Sequence, residues 1–501
     1  MAIVSLDILM VISALDTTIV ATVYVPIGES FSSTGSAEWI ITSYLITVTA
    51  FQPLYGRVSD LAGRTETIVF AVSVFLLGSI LCALSTSMNM LIASRAIQGI
   101  GGAGLMSMVS IVIADITNER QRSKYTGIFT STYGVASAIA PVLGGAIVNS
   151  VKWQVVFWIN VPCCLVALVM ILLLLRIPRP KGSAKAKLMR IDMAGALLCL
   201  AGVVLLLLGL AWGGRDYGWS SAPVVCTLVF GFVLLLIFII YESMVPAAPI
   251  VPVRLFRIRN FAASSIASLL FGFAINGPML LIPQWAIVVK HASAVTAGEY
   301  LISYCFGLVL ASAACGWAIN KAGRCCEFII AGSALLLLGN CLLLDLTSQS
   351  SVPQIVGFLL IGGLGVGCCM QPISLVGQAS VSGRDMASST TTFMFFRSLG
   401  MIISVSALSN AVQNSLRKQL SDIAAQFPSR ANLIQDIAQN ASLLYSANVP
   451  ADLQALVIEA YSKSIHTAFI VLAAFTAANF LAALGFKHVE LKSVLKRTID
   501  V

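Results

Sequence analysis

The chain has 501 residues, of which 58% are hydrophobic and 10% charged, with a mean hydropathy of +0.94 and a formal net charge of +9. Soluble domains carry about 25% charged residues, so this composition excludes a globule solvated by water. Its apolar runs repeatedly reach about 20 residues, the length that spans a hydrocarbon core of about 30 Å, and they lack barrel-type alternation, so they predict transmembrane helices.

In chain order, spans are predicted near 4–26, 38–56, 66–86, 90–114, 126–149, 155–175, 192–213, 223–242, 262–289, 297–319, 327–346, 353–377, 387–411 and 464–486. The first has the length of a signal peptide, but Asp16 interrupts its apolar run and no basic stretch precedes it, so it reads as a span. The expected fold class is an all-α polytopic membrane protein with 14 transmembrane helices. The expected organisation is a six-helix half over 1–176, a basic cytosolic linker over 177–191, two inserted spans within 192–245, a second six-helix half over 246–486 and a cytosolic tail over 487–501.

Charge distribution tests that topology, because cytoplasmic loops hold the excess of Lys and Arg. With the N-terminus inside, 21 basic residues fall on the cytosolic side and 7 on the other, with Arg95 and Arg397 inside spans, which accounts for all 30. Both termini are then cytosolic. The loop over 412–463 falls on the outer or lumenal side, where the sequon Asn440-Ala441-Ser442 is a candidate for glycosylation. Because the basic residues lie in short clusters between apolar runs, they read as orientation signals, and no nucleic-acid partner is expected. The 12 cysteines sit mostly in apolar segments without paired metal-ligand spacing and read as small buried hydrophobes, so no metal is expected.

An ionised side chain at mid-bilayer costs about 2.5–3.5 kcal/mol even on the gentler scales, so something must offset Asp16 and Arg95. An acid there can exchange a proton, with Arg95 and neighbouring Gln98 tuning it or Arg95 holding an anionic substrate group; a structural ion pair is the alternative reading. Gln52, Asn276, Gln284, Trp285, Gln371 and Arg397 are the polar and aromatic candidates for lining a cavity, against the alternative of helix-to-helix hydrogen bonding. The string Gly99-Ile100-Gly101-Gly102-Ala103-Gly104 fits GxGxxG, but it lies inside a span with no preceding strand and reads as a close-packed helix surface. No GxxxxGK[ST] occurs, so energy is expected from an ion gradient and no bound cofactor is expected.

The segment from Gly56 to Arg64 recurs as Gly316 to Arg324, which indicates two halves related by parallel repetition. With Leu15-Asp16-Thr17-Thr18-Ile19-Val20, Gly56-x3-Asp60-x2-Gly63-Arg64, Arg95-Ala96-Ile97-Gln98-Gly99 and Ala140-Pro141-Val142-Leu143-Gly144-Gly145 in that order, the chain resembles the major facilitator superfamily, in its fourteen-span drug:proton antiporter branch. Departures include Leu61 and Thr65 where basic residues are usual and Asn320 for the acid in the second copy. The resemblance implies a gating loop at Gly56, Asp60, Gly63 and Arg64, with Asp60 accepting from the backbone N–H groups of a neighbouring helix and Arg64 pairing across the half. It implies an antiporter motif at Pro141, Gly144 and Gly145, and coupling through Asp16, Arg95 and Gln98. The implied function is proton-coupled export of a small drug, toxin, organic acid or secondary metabolite by a monomer in the plasma membrane, with the lipid bilayer and the small-molecule substrate as partners. The chain is also similar to fungal vacuolar basic amino acid transporters, which leaves vacuolar uptake of Lys, Arg or His as the alternative. No nucleophile or metal constellation suggests an enzyme.

Overall fold

The computed structural model describes residues 2–31, 33, 36–150, 152–175, 177, 192–214, 217–244, 250–251, 253–292, 294–427, 430, 434 and 450–489. Most of the basic linker at 177–191, the sequon at Asn440 and the tail beyond 489 lie outside the described residues. The elements are α-helices: α1 (Ala2–Ser30), α2 (Trp39–Ala62), α3 (Arg64–Ala83), α4 (Met88–Ile116), α5 (Glu119–Ser150), α6 (Val155–Trp158) and α7 (Asn160–Leu174). Then follow α8 (Met193–Trp212), α9 (Ala222–Met244), α10 (Arg259–Val289), α11 (Ala294–Ala322), α12 (Cys326–Leu342), α13 (Val352–Ala379), α14 (Met386–Gln426) and α15 (Ala451–Ala483).

The expected count of 14 spans is corrected to 12: among the described residues, 12 helices are long and apolar enough to cross a membrane. The helix α2 falls outside that set by composition, since it runs to 24 residues, and the side chains of α5 beyond Ala140 lie in part outside the described residues. Ser, Thr, Tyr, Gln52, Arg57 and Asp60 dilute α2, while α5 opens on Glu119-Arg120-Gln121-Arg122-Ser123-Lys124. These polar residues are tolerable because protein covers them: α2 packs on α4 and α14, and α5 on α1 and α11. The apolar helix α14 also continues to Gln426, well beyond the expected end near 411, and its outer part packs with α15 through Leu416, Leu420, Leu453 and Val457.

Two apolar cores define the halves, one of residues such as Phe75, Ala103 and Met108 from α1 to α7, the other of residues such as Phe273, Tyr304 and Leu336 from α10 to α15. Helices α8 and α9 pair with each other and lean on the α2/α14 seam through Ala196, Cys199, Val203 and Phe238. Most of α9 is unburied by protein, with Phe230, Phe232 and Ile240 exposed, as suits a lipid-facing helix. The halves meet along α5 against α11 and α2 against α14. Gly63 and Gly323, the matching glycines of the internal repeat, both take positive φ, 114° and 72°, which ends one helix and redirects the chain into the next.

Lipid gives helices little hydrophobic reason to associate, so contact depends on small residues that let backbones approach. In α4, the GxGxxG string is such a surface: a Cβ on Gly101 would strike the backbone of Phe75, and one on Gly104 the side chains of Ala71 and Tyr55. Gly101→Ala should therefore lower stability by about 1–3 kcal/mol through overpacking, read as a lower thermal unfolding midpoint in detergent. Gly357→Ala, where nothing lies within 4 Å, should be neutral or stabilising. Equal shifts for the two substitutions would contradict this packing account.

Candidate functional site

Polar side chains collect in two places, one inside the N-terminal half and one between the halves. In the first, Arg95 and Gln98 stand three residues apart on one face of α4, opposite Asp16 on α1. Arg95 donates from Nη1 to Asp16 Oδ2 at 2.7 Å and to Gln98 Oε1 at 2.6 Å, and from Nε to the Ile40 carbonyl at 3.0 Å. Its guanidinium also lies 4.2 Å from the centroid of the Tyr44 ring. Asp16 accepts further from Gln98 Nε2 at 2.8 Å and Asn160 Nδ2 at 2.7 Å, and Gln98 Nε2 also donates to Ser79 Oγ at 2.8 Å. The Asp16 and Arg95 side chains are 0% and 1% exposed. The arrangement joins α1, α2, α3, α4 and α7 at one point, and it spends all the charge of Arg95 inside the half. Thus the structure brings together Asp16, Arg95 and Gln98, as the sequence suggests. Tyr44 and Ser79 belong to no motif, and Asn160, part of the segment Trp153-Gln154-x2-Phe157-x-Ile159-Asn160-x-Pro162, is not among the expected site residues.

The second place is a cavity of about 80 Å³ between the halves. Met10, Arg122, Thr126, Phe129 and Thr130 line it from one half, and Gln371, Gln378, Thr390, Met394 and Arg397 from the other. Gln371 Nε2 donates to Ser312 Oγ at 2.7 Å. Two of the expected lining residues, Gln371 and Arg397, belong here. The rest do not: Gln52 accepts from Ser398 Oγ at 3.0 Å as a bond between α2 and α14, and Asn276 donates to the Met401 carbonyl at 3.4 Å. Trp285 is buried in the second core, and Gln284 lines a separate apolar cavity with Ile287, Val412 and Tyr461.

At the end of the bundle that carries most of the basic residues, side chains tie helices together. Arg64 donates to Asp60 Oδ1 at 2.7 Å, to Asp115 Oδ2 on α4 at 2.6 Å and to Ser59 Oγ at 2.8 Å. The gating loop thus differs from expectation in one respect: Asp60 bonds to the side chain of Arg64 and among the described residues takes no backbone N–H, while Arg64 reaches across its half to Asp115 on α4. Burial pushes the Asp60 carboxyl up, against the pull of Arg64 and Arg57. Gly56 abuts Thr391 and Ala387 of α14, where any Cβ would collide. Arg122 crosses between halves, donating from Nη1 to Gln378 Oε1 at 3.0 Å and from Nη2 to the Ala114 carbonyl at 2.7 Å. Burial pushes its guanidinium below the ordinary arginine range, against Glu119 and Asp115. The sequence reading had counted Arg122 only as an orientation signal. Pro141, Gly144 and Gly145 lie in the second part of α5, where Gly144 is buried; the side-chain surroundings of Pro141 and Gly145 are outside the described residues.

Among the described residues, twelve helices of membrane-spanning length form two halves with a cavity of about 80 Å³ between them, smaller than the about 300–1,000 Å³ usual for ligand pockets. That architecture defines a multi-pass membrane transporter of a small molecule. The chain belongs to the Major Facilitator Superfamily, whose family model matches residues 6–405. It is 31% identical over 98% of its length, and 84% of the relative's, to efflux pump dotC of Dothistroma septosporum. It is 32% identical to MFS-type transporter ppz2 of Metarhizium majus, covering 93% of this chain and 80% of that one. Its fold matches the human organic anion transporter MFSD10 (TETRAN) with a TM-score of 0.62 at 13% identity, over 96% of this chain and 98% of that chain. Members of this superfamily are secondary transporters rather than enzymes, and they generally draw on ion gradients rather than bound cofactors.

Proposed function

We propose that the chain is a proton-coupled exporter of a small organic molecule, working by alternating access from the plasma membrane as a monomer. The observation that carries the proposal is the Asp16–Arg95 pair, a carboxylate and a guanidinium both sealed in the N-terminal half and joined by hydrogen bonds and ring contact to three other helices, α2, α3 and α7. A proton on Asp16 would remove the partner of Arg95, and an uncompensated buried charge costs several kcal/mol. The protonated protein then favours a different packing of α1, α4 and α7, which biases the two halves toward the alternate state. Export is supported by the similarity to the Dothistroma efflux pump. The basic end, with Arg64, Arg122, Arg254 and Arg259, faces the cytosol in this reading.

Vacuolar uptake of basic amino acids fits less well. Arg122 and Arg397 line the cavity between the halves, and no described carboxylate does. A cationic substrate would meet two like charges there.

Flux of organic anions into inside-out membrane vesicles, with and without an imposed pH gradient, tests the reading. An acid-inside gradient should raise uptake about tenfold or more, the effect of about 1.4 kcal/mol on an equilibrium, and Asp16→Asn should abolish that rise. Equal flux with and without the gradient removes proton coupling.

A further inference from the structure

We propose that Arg397 is the anion-recognising residue of the substrate site, and that the transported molecule carries an acidic group, a carboxylate or an ionised phenol or enol, on an apolar body. This names the substrate class of the transporter proposed above and rests on that reading.

The buried arginines of the bundle are satisfied in different ways. Arg95 is held by a carboxylate, an amide, a carbonyl and an aromatic ring, all inside one half. Arg122 donates to an amide oxygen and a carbonyl. Arg397 lines the cavity, and among the described residues it makes no hydrogen bond and no ion pair. A guanidinium in a membrane bundle is costly unless something offsets it. Here the offset is available from a ligand, because a guanidinium binds a carboxylate through two parallel N–H···O bonds.

The setting also fits a ligand. Gly272 abuts the Arg397 carbonyl and Gly400 abuts the Leu269 carbonyl, so α14 is clamped to α10 at the arginine and again about one turn after it, which presents the arginine from a rigid element. The lining adds the amide of Gln371 as a further polar group and Phe129 and Met394 as apolar surface. An anion with an aromatic or aliphatic body matches a partly apolar wall whose two charged groups are both arginines, Arg122 held by Gln378 and the Ala114 carbonyl and Arg397 without a hydrogen bond among the described residues, and a cation does not.

The test is equilibrium binding to the full chain in lipid nanodiscs at fixed pH, using 2-naphthoate and its neutral counterpart 2-naphthamide. The wild type should bind the acid about tenfold tighter than the amide. Arg397→Gln should erase that preference by weakening naphthoate about tenfold, with naphthamide changed less than about twofold. Arg397→Lys, which keeps the charge but loses the two parallel N–H···O bonds, should fall between the two, binding naphthoate more tightly than Arg397→Gln and less tightly than the wild type. A wild type that binds the acid no better than the amide overturns the proposal without requiring any variant. So does an Arg397→Gln protein with unchanged naphthoate affinity, or an Arg397→Lys protein as weak as Arg397→Gln. No gradient is imposed in this measurement, so a transporter that proves uncoupled from protons would leave these outcomes unchanged.

Discussion

Replacing Arg95 by methionine should destabilise the chain by about 3–5 kcal/mol, and adding Asp16→Asn to the same chain should recover most of that loss. Arg95→Met leaves Asp16 as a fully buried carboxylate with only the neutral donors Gln98 and Asn160. Two hydrogen bonds from neutral amides do not replace a guanidinium 2.7 Å away in a site that is 0% exposed. The double variant removes both charges, and its asparagine can still accept from Gln98 and Asn160, so the desolvation penalty goes with the charge. Thermal unfolding in detergent should therefore rank wild type and double variant close together and Arg95→Met far below. Transport should separate them again. If Asp16 couples protons to the halves, the stable double variant has lost the titrating group, and its flux should not respond to a pH gradient. A double variant as unstable as Arg95→Met would mean that the pair is not the unit that sets this site's stability, and a double variant with wild-type coupling would remove Asp16 from the mechanism.

That site was largely legible in the sequence, because charge inside an apolar run is rare and demands a partner. Asp16 and Arg95 announced themselves on those grounds, and Gln98 followed from lying three residues beyond Arg95 on a helix. Tyr44 carried no such signal, since a tyrosine in α2 is ordinary until the helices are packed, and Asn160, though part of a motif after α5, had nothing in the sequence to tie it to Asp16. The same limit explains the cavity candidates. Gln52 and Asn276 are as polar as Gln371, and only the convergence of helix faces sends Gln371 to the cavity and leaves the other two bonding neighbouring helices. The span count failed for a related reason. Hydropathy scores each helix as though lipid surrounded it, whereas α2 sits at the seam between halves, against α14, and can be polar where protein covers it. The internal repeat was the most faithful long-range signal, since Gly63 and Gly323 mark the same turn in each half.

Arg122→Ala should open the basic end of the bundle. The bond from Arg122 to Gln378 joins α5 to α13 across the two halves, and hydrogen bonds to charged groups contribute about 1.5–3 kcal/mol each. Losing one contribution of that size shifts a closed-to-open ratio by about 10- to 100-fold. The readout is the labelling rate of Thr126→Cys, a residue that lines the cavity, with the 12 native cysteines replaced and a membrane-impermeant maleimide applied from the basic side. Labelling should accelerate at least about tenfold in Arg122→Ala relative to the same background with Arg122 intact. Arg254→Ala provides the contrast. That guanidinium is 70% exposed where it meets Asp385, and exposed pairs contribute only about 0–1 kcal/mol, so its removal should change labelling little. The comparison isolates burial as the reason one arginine acts as a latch and the other does not. Equal rates in the two variants would mean that the halves are held closed by the backbone packing of Gly56 against α14 and of α5 against α11, with Arg122 a passenger at that seam.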